Sequence, residues 1–328
     1  GGVSRIQELQ MVTQKGDNTA VVAIHGNFDN AQNGVKAIFE DRELAGELAA
    51  AGYQFSSANS INIGRLVPQI VYYVYAYAKL LENEEITSEE EINVTVPTGN
   101  FGNILAAYYA KKMGVPIGKL ICASNENKVL FDFFQTGVYD RNRDFILTSS
   151  PSMDILISSN LERLIYTIAE QDAGKDAELM ELLKDKGVYE ITPAMKEKLA
   201  DFVGGYATEE ECAQTIRRTY ERTGYVMDTH TSVAASVCSR YRKDSKDGRK
   251  CLVASTASPY KFIHSVMTAI DEKKYAEADE FSLIDELSRI SGTTIPKAIE
   301  EIRKAPVRHK RECDAEDMKQ TVKEILGI

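Results

Sequence analysis

Residues 94–103, VTVPTGNFGN, constrain the fold more than any other stretch of this chain. A β-branched run, Val94-Thr95-Val96, ends at Pro97, and a turn carrying two glycines follows. Residues 104–113, ILAAYYAKKM, then have the apolar spacing and the strong helix formers of an amphipathic helix. Strand, glycine turn and helix start in direct succession build an anion cradle. Gly99 and Gly102 admit close backbone approaches that a side chain would block. The N–H groups of the turn and the positive end of the helix dipole converge on one spot, which suits a phosphate. A lone glycine pattern also serves as a plain strand-to-helix connection, so its meaning depends on the rest of the chain.

A chain of 328 residues can bury a sizeable core and predicts two domains, or one large domain with an appendage. The net charge of −10 argues against a nucleic-acid partner, which would need a basic face. It also requires that an anionic ligand be drawn in by a local cation or by backbone dipoles. Cys122, Cys212, Cys238, Cys251 and Cys313 are dispersed, with no CxxC pair, which predicts reduced thiols in the cytoplasm rather than a disulfide frame or a zinc site. The histidines show no metal-ligand spacing. The most apolar stretch, 66–81, is broken by Gln69 and Lys79 and is too short to span a bilayer, so no membrane partner is expected and a buried helix is.

Ser4-Arg5-Ile6-Gln7 has the spacing of a capping box and predicts a helix to about Lys15, stopped by Gly16. Residues 19–24 read as a buried strand, and 29–39 and 42–51 as helices. The chain begins Gly1-Gly2-Val3 with no initiator Met and opens on a helix where a complete α/β layer opens on a strand. Both features lead to the expectation of a missing N-terminal portion. Residues 55–65, FSSANSINIGR, are dense in Ser and Asn with one Arg. That composition suits a polar loop capping the next helix, and equally a set of hydroxyl, amide and guanidinium donors for a phosphate or carboxylate. Tyr72, Tyr73, Tyr75 and Tyr77 read as core and helix-packing surface.

Downstream, 119–123 reads as a strand, 128–136 as a helix and 145–148 as a short strand. Residues 152–222 read as a helical insertion with one charged, solvated face. Residues 251–255 form the next strand, and a helix begins after Pro259. Between them, 225–241 carries Asp228, His230 and a small-residue helix. The tail, 281–328, reads as three short helices with a surface basic patch at 308–311.

A phosphate cradle, a Ser/Asn/Arg cluster before it and a hydroxyl at a later strand end belong to α/β loops, where ligands bind. Pyridoxal 5'-phosphate (PLP) uses a helix N-terminus for its phosphate and can accept a neutral hydroxyl at its ring nitrogen. SSANSINIGRL, VPTGNFGNILAAYYAKKMG and STASPYKF, in this order, closely resemble threonine synthase, of the tryptophan-synthase-β-like family of PLP enzymes. GVSRIQELQM, HGNFDNAQNGVKAIF, ASNENKV and DTHTSVA resemble it as well. The likeness covers the chain up to Ile270 and the tail more weakly.

The resemblance implies an α/β fold of fold type II, a parallel sheet flanked by helices with the helical insertion, and N-terminally incomplete. It implies residues 1–55 as the remainder of a small domain, 56–270 as a large PLP-binding domain and 271–328 as a helical tail. The implied reaction converts O-phospho-L-homoserine and water to L-threonine and phosphate. Gly99, Asn100, Phe101, Gly102 and Asn103 would hold the PLP phosphate, and Thr256 would hydrogen-bond the pyridine nitrogen. Ser57, Asn59, Ser60, Asn62 and Arg65 match the segment that helps bind the substrate phosphate. The implied partner is this small molecule, in a monomer or homodimer. The family's Schiff-base lysine belongs to an upstream segment like PTxAFKD, followed by a SGDTG-like loop, and neither is in these residues. Lys261, the lysine of the STASPYKF motif, is expected to be an ion pair or a surface charge, so the chain as it stands is expected to be catalytically dead. Two other readings remain open: a phospho-lyase of the same type that ends in 2-oxobutyrate, and a non-catalytic module binding a phosphorylated small molecule. A dinucleotide site is disfavoured, because the three-glycine spacing and the ribose-reading acid are missing.

Overall fold

The computed structural model describes residues 3–26, 28–58 and 62–328. They divide into two compact units, Gly1–Ser57 with Glu277–Ile328, and Ala58–Ala276.

The first unit opens with α1 (Arg5–Val12). Ser4 Oγ accepts the Gln7 N–H at 3.3 Å and Gln7 Oε1 accepts the Ser4 N–H at 3.2 Å, the reciprocal cap that the spacing predicts. The helix ends short of Lys15, because Thr13 sends both its N–H and its hydroxyl back to the Leu9 carbonyl. Next come β1 (Val22–His25), α2 (Phe28–Glu40) and α3 (Arg42–Ala50).

The second unit begins with α4 (Ile63–Leu66), α5 (Ile70–Glu82), β2 (Ile92–Pro97), α6 (Gly102–Lys112) and β3 (Ile117–Ser124). After α7 (Val129–Thr136), β4 (Val138–Asp140), α8 (Leu161–Ile168) and α9 (Ala173–Lys186), β5 (Val188–Glu190) pairs antiparallel with β4. Then follow α10 (Pro193–Glu197), β6 (Phe202–Tyr206), α11 (Glu209–Thr223), α12 (Thr229–Ser245), β7 (Cys251–Val253), α13 (Ile263–Ile270) and α14 (Glu272–Tyr275). The chain returns to the first unit through α15 (Glu280–Ser291), α16 (Lys297–Ile302), β8 (Arg311–Asp314) and α17 (Met318–Leu326).

In that first unit β8 runs parallel to β1, so the tail read as helices also contributes a strand. Met318, Val322 and Leu326 of α17 cover Leu44 and Leu48 of α3. His25, at the end of β1, is bonded to Glu312 and Asp314 of β8, and those two carboxylates raise its pKa.

The second unit is built on a four-stranded parallel sheet, β6-β3-β2-β7. Every residue of β2 is buried. Period-two alternation divides the side chains between two faces. Ile92, Val94, Val96, Leu120 and Cys122 pack with Ile104 and Leu105 of α6. Ile121 and Ala123 pack instead with Val233, Ala234 and Val237 of α12. Burial on both faces is what a parallel sheet needs.

Other strands also differ from the sequence expectation, among them the short β4, which falls between the expected helix at 128–136 and the expected strand at 145–148. Residues 152–222 hold β5 and β6 as well as helices, and β6 is an edge strand of the main sheet. Its Gly204-Gly205 pair conceals it from pattern reading yet lets α12 lie close, since a Cβ on Gly205 would fall 2.4 Å from Val237 Cγ1. Residues 145–148 form no strand, because their polar groups serve a buried network described below. In α5, Tyr73 and Tyr77 are buried as expected, but Val71, Tyr72 and Tyr75 stand exposed, so the helix is buried on one side only.

Phe133 of α7 is fully buried among Phe134, Tyr139 and Tyr189. Phe133→Ala should lower the unfolding free energy by about 3–5 kcal/mol. Tyr72→Ala, on the open side of α5, should change it by no more than about 0.5 kcal/mol. Denaturant midpoints at unchanged slope check both.

Candidate functional site

β2 delivers the chain at Thr98, whose N–H binds the Ala123 carbonyl at 2.8 Å, to the turn Gly99-Asn100-Phe101 at the start of α6. The turn is fixed from behind. Ser158 Oγ donates to the Gly99 carbonyl at 2.8 Å, and Asn160 Nδ2 donates to the Asn100 carbonyl at 2.9 Å. The Phe101 carbonyl accepts the Leu105 N–H at 3.0 Å. The first N–H groups of α6 have no helical partner by construction, so this helix start presents donors. Phe101 holds φ of 64°, the left-handed region, with its ring buried against Phe134 and Phe202.

Gly99 is required by a close approach: a Cβ there would lie 2.4 Å from the Ser152 carbonyl oxygen. The loop carrying Ser152 is anchored on Asp154. Its Oδ1 accepts from Asn125 Nδ2 at 2.7 Å, Asn127 Nδ2 at 3.1 Å and Thr148 Oγ1 at 2.7 Å. Its Oδ2 accepts the Thr148 N–H at 2.9 Å.

Gly99, Asn100, Phe101, Gly102 and Asn103 line a cavity of about 270 Å³ together with Thr256, Ala257 and Lys261 from the turn after β7. Gln69, Ser152 and His230 also contribute to its wall. Asn103 Nδ2 donates to Gln69 Oε1 at 3.3 Å, and Gln69 Nε2 donates to the Arg65 carbonyl at 2.6 Å. The Tyr73 hydroxyl donates to Asn103 Oδ1. His230 is buried, and its Nε2 accepts the Ser152 N–H at 3.3 Å.

The upstream cluster divides. Asn62 caps α4, its Oδ1 accepting the Gly64 N–H at 2.9 Å. Arg65 is exposed and donates to the Ala58 carbonyl, and it is not part of the cavity wall. Ser57 is the last residue of its segment of the first unit, and Asn59 and Ser60 lie outside the described residues. Lys261 departs from expectation. It is half-buried, its Nζ sits 5.3 Å from the Phe262 ring centroid, and among the described residues no carboxylate lies within 4.0 Å of it.

Sequence reasoning passed over Gln69, Ser152 and His230 as wall residues. The signal for His230 was the Asp-x-His spacing at Asp228, whereas Gln69 and Ser152 carry none. A larger cavity of about 650 Å³ is lined by Tyr109, Arg163 and Asp176 among others and shares no lining residue with the cradle cavity. Among the described residues no His/Cys/Asp/Glu cluster could hold a metal, and no helix is long and apolar enough to cross a membrane. The five cysteines are unpaired.

No protein-family model matches the chain. Threonine synthase of Saccharomyces cerevisiae is 36% identical over 324 residues, which is 94% of this chain and 61% of that protein. The crystal structure of PLP-bound threonine synthase from Brucella melitensis superposes with a TM-score of 0.81 at 32% identity, over 99% of this chain and 64% of that one. The chain belongs to the threonine synthase family. Its architecture is the fold type II α/β fold of that family. Human threonine synthase-like 1 is 43% identical over 287 residues, 86% of this chain and 38% of that protein. The chain thus spans between about a third and two thirds of the length of these relatives.

Gly99→Ala should lower stability by about 1–3 kcal/mol, because Ser152 backbone has to move. Gly46→Ala in α3, which meets nothing within 4 Å, should raise it by roughly 0.5–1 kcal/mol. Thermal and denaturant unfolding separate the two signs. For Asp228, burial works to raise the carboxyl pKa, but hydrogen bonds from His230 and Thr231 outweigh it and hold the value below 3.8. Its contribution to stability is therefore complete above pH 3.8 and lost as the pH falls through the lowered native value. Asp228→Asn should flatten that acid limb of the stability–pH curve.

Proposed function

We propose that this cavity holds PLP and that the chain forms the cofactor-gripping part of a threonine synthase, which converts O-phospho-L-homoserine and water to L-threonine and phosphate. One observation carries the reading: the α6 helix start and Thr256, at opposite ends of the expected cofactor, line the same cavity. The residues fit the group. The turn presents N–H donors at a helix N-terminus, and Gly99 has no Cβ to obstruct the approach.

In this reading the backbone N–H groups of residues 99–103 bind the phosphoryl oxygens, aided by the helix dipole. The Thr256 hydroxyl donates to the pyridine nitrogen. A neutral hydroxyl stabilises positive charge on that nitrogen less than a carboxylate does, and so leaves it unprotonated. Bound PLP supplies an electron sink, allowing protons to leave Cα and then Cβ and phosphate to leave Cγ before water adds at Cβ. On the resemblance alone, Ser57, Asn59, Ser60, Asn62 and Arg65 orient the substrate phosphate. The Schiff-base lysine is assigned to a segment outside these residues, and Lys261 is not given that role. Five unpaired thiols fit a reducing compartment such as the cytoplasm.

A second reading has its own support: the human relative, more similar to this chain than the yeast enzyme, bears the name threonine synthase-like 1. A phospho-lyase would turn the same substrate and water into 2-oxobutyrate, ammonia and phosphate.

The purified chain should bind PLP reversibly, inorganic phosphate should displace it, and borohydride should trap no adduct on Lys261. The whole protein that contains this chain should release phosphate from O-phospho-L-homoserine only when PLP is present. Chromatography of the products assigns threonine or 2-oxobutyrate. Absence of both PLP binding and PLP-dependent phosphate release rejects the proposal.

A further inference from the structure

Asp228 is 1% exposed and stands at the N-terminus of α12, where its Oδ1 accepts the N–H groups of His230 at 2.8 Å and Thr231 at 3.3 Å. A cap needs no more than this. Two further bonds leave the same carboxylate in different directions. His230 Nε2 accepts the Ser152 N–H, so that nitrogen is unprotonated and Nδ1 carries the proton, facing Asp228 Oδ1 at 3.2 Å. The imidazole is thereby fixed as one neutral tautomer, with its ring against Phe262. Ser152 is the residue whose carbonyl abuts Gly99. On the other side, Asp228 Oδ2 accepts the Thr231 hydroxyl, and Thr231 Oγ1 shares a 3.3 Å hydrogen bond with Ser255 Oγ. Ser255 directly precedes Thr256 in the chain.

We propose that Asp228 is a positioning residue that ties the two ends of the cavity together, one arm running through His230 and Ser152 to the phosphate cradle and the other through Thr231 and Ser255 to the Thr256 turn. This rests on the PLP reading above, since it assigns a ligand phosphate to the first arm and a ligand ring to the second. The carboxylate accepts from both arms at once while buried, so each arm is held from the same fixed point. Helix capping explains neither the histidine tautomer nor the Ser255 contact. With the arms in place, the distance between cradle and hydroxyl is set before any ligand arrives, which lowers the ordering cost of binding.

The arms can be cut separately in the full 328-residue chain. His230→Asn removes the acceptor for Ser152, and His230→Gln restores an acceptor near the Nε2 position. Thr231→Val removes the second arm without changing side-chain volume greatly. PLP, pyridoxal and inorganic phosphate are titrated by calorimetry, and the absorption spectrum of bound PLP is recorded. His230→Asn should weaken PLP and inorganic phosphate about tenfold and leave pyridoxal unchanged, and His230→Gln should recover most of that loss. Thr231→Val should shift the PLP absorption band and leave inorganic phosphate affinity within about twofold of the parent. Asp228→Asn should show both effects, and because it risks the α12 cap, the single-arm variants carry the test. Equal weakening of PLP and pyridoxal by His230→Asn, or equal loss of phosphate affinity in both single-arm variants, overturns the assignment of one arm to each end of the cavity and leaves the PLP reading intact. A parent chain that binds neither PLP nor inorganic phosphate overturns the inference, and the PLP reading falls with it when PLP-dependent phosphate release is absent as well.

Discussion

The backbone of Gly99 rests against the Ser152 carbonyl oxygen, and the shape of the cavity depends on that contact. A helix start with several inward N–H dipoles is electrostatically unfavourable by itself, because like ends of the dipoles crowd together. Here each nearby carbonyl is occupied from outside the cavity, by Ser158 at Gly99 and by Asn160 at Asn100. The turn therefore has no way to relax by rotating its peptides without breaking bonds in a buried region, where an unmade hydrogen bond costs about 1–3 kcal/mol. The opposing loop is equally constrained, with Asp154 satisfied by four donors from Asn125, Asn127 and Thr148. Two rigid pieces of backbone in contact define the cradle better than side chains could.

Phe101 shows how strain is accommodated in such a turn. A non-glycine residue at φ 64° costs about 1–3 kcal/mol, and glycine would avoid it. The ring is 1% exposed and lies about 6 Å from the rings of Phe134 and Phe202. Burying a phenylalanine contributes about 1.5–3 kcal/mol, which offsets the backbone term. The left-handed residue thus anchors the turn to the core while directing the chain into α6.

The glycine turn and Thr256 were more legible in sequence as cavity residues than the rest of the wall. The strand–turn–helix pattern at 94–113 and the hydroxyl at Thr256 are local features, and β2, α6 and the turn after β7 place them on one cavity. The Ser/Asn/Arg segment was legible as a polar loop, and Asn62 is a helix cap as its residue type favours. Ser152 and Gln69 were not legible, because each owes its position to contacts more than 30 residues away in the chain. The edge strand β6 escaped for a related reason. Its two glycines have no β-propensity, and their role is to admit α12. Residues 145–148 erred in the opposite sense: apolar and β-branched side chains suggested a strand, but Thr148 serves Asp154 instead.

An acidic chain holding an anion looks contradictory until the ranges are compared. At physiological salt the Debye length is about 8 Å, so most of the −10 net charge, spread over the surface, is screened at the cavity. Backbone N–H dipoles act at about 3 Å, within the protein and without screening. Net charge then slows the encounter of an anionic ligand with the protein, and the local dipoles govern how long it stays. Among the described residues, Lys261 is the one cation in the cavity wall. With no carboxylate within 4.0 Å among the described residues, its field is not cancelled locally. A helix start and the Lys261 ammonium can therefore hold an anion in this protein despite its net negative charge.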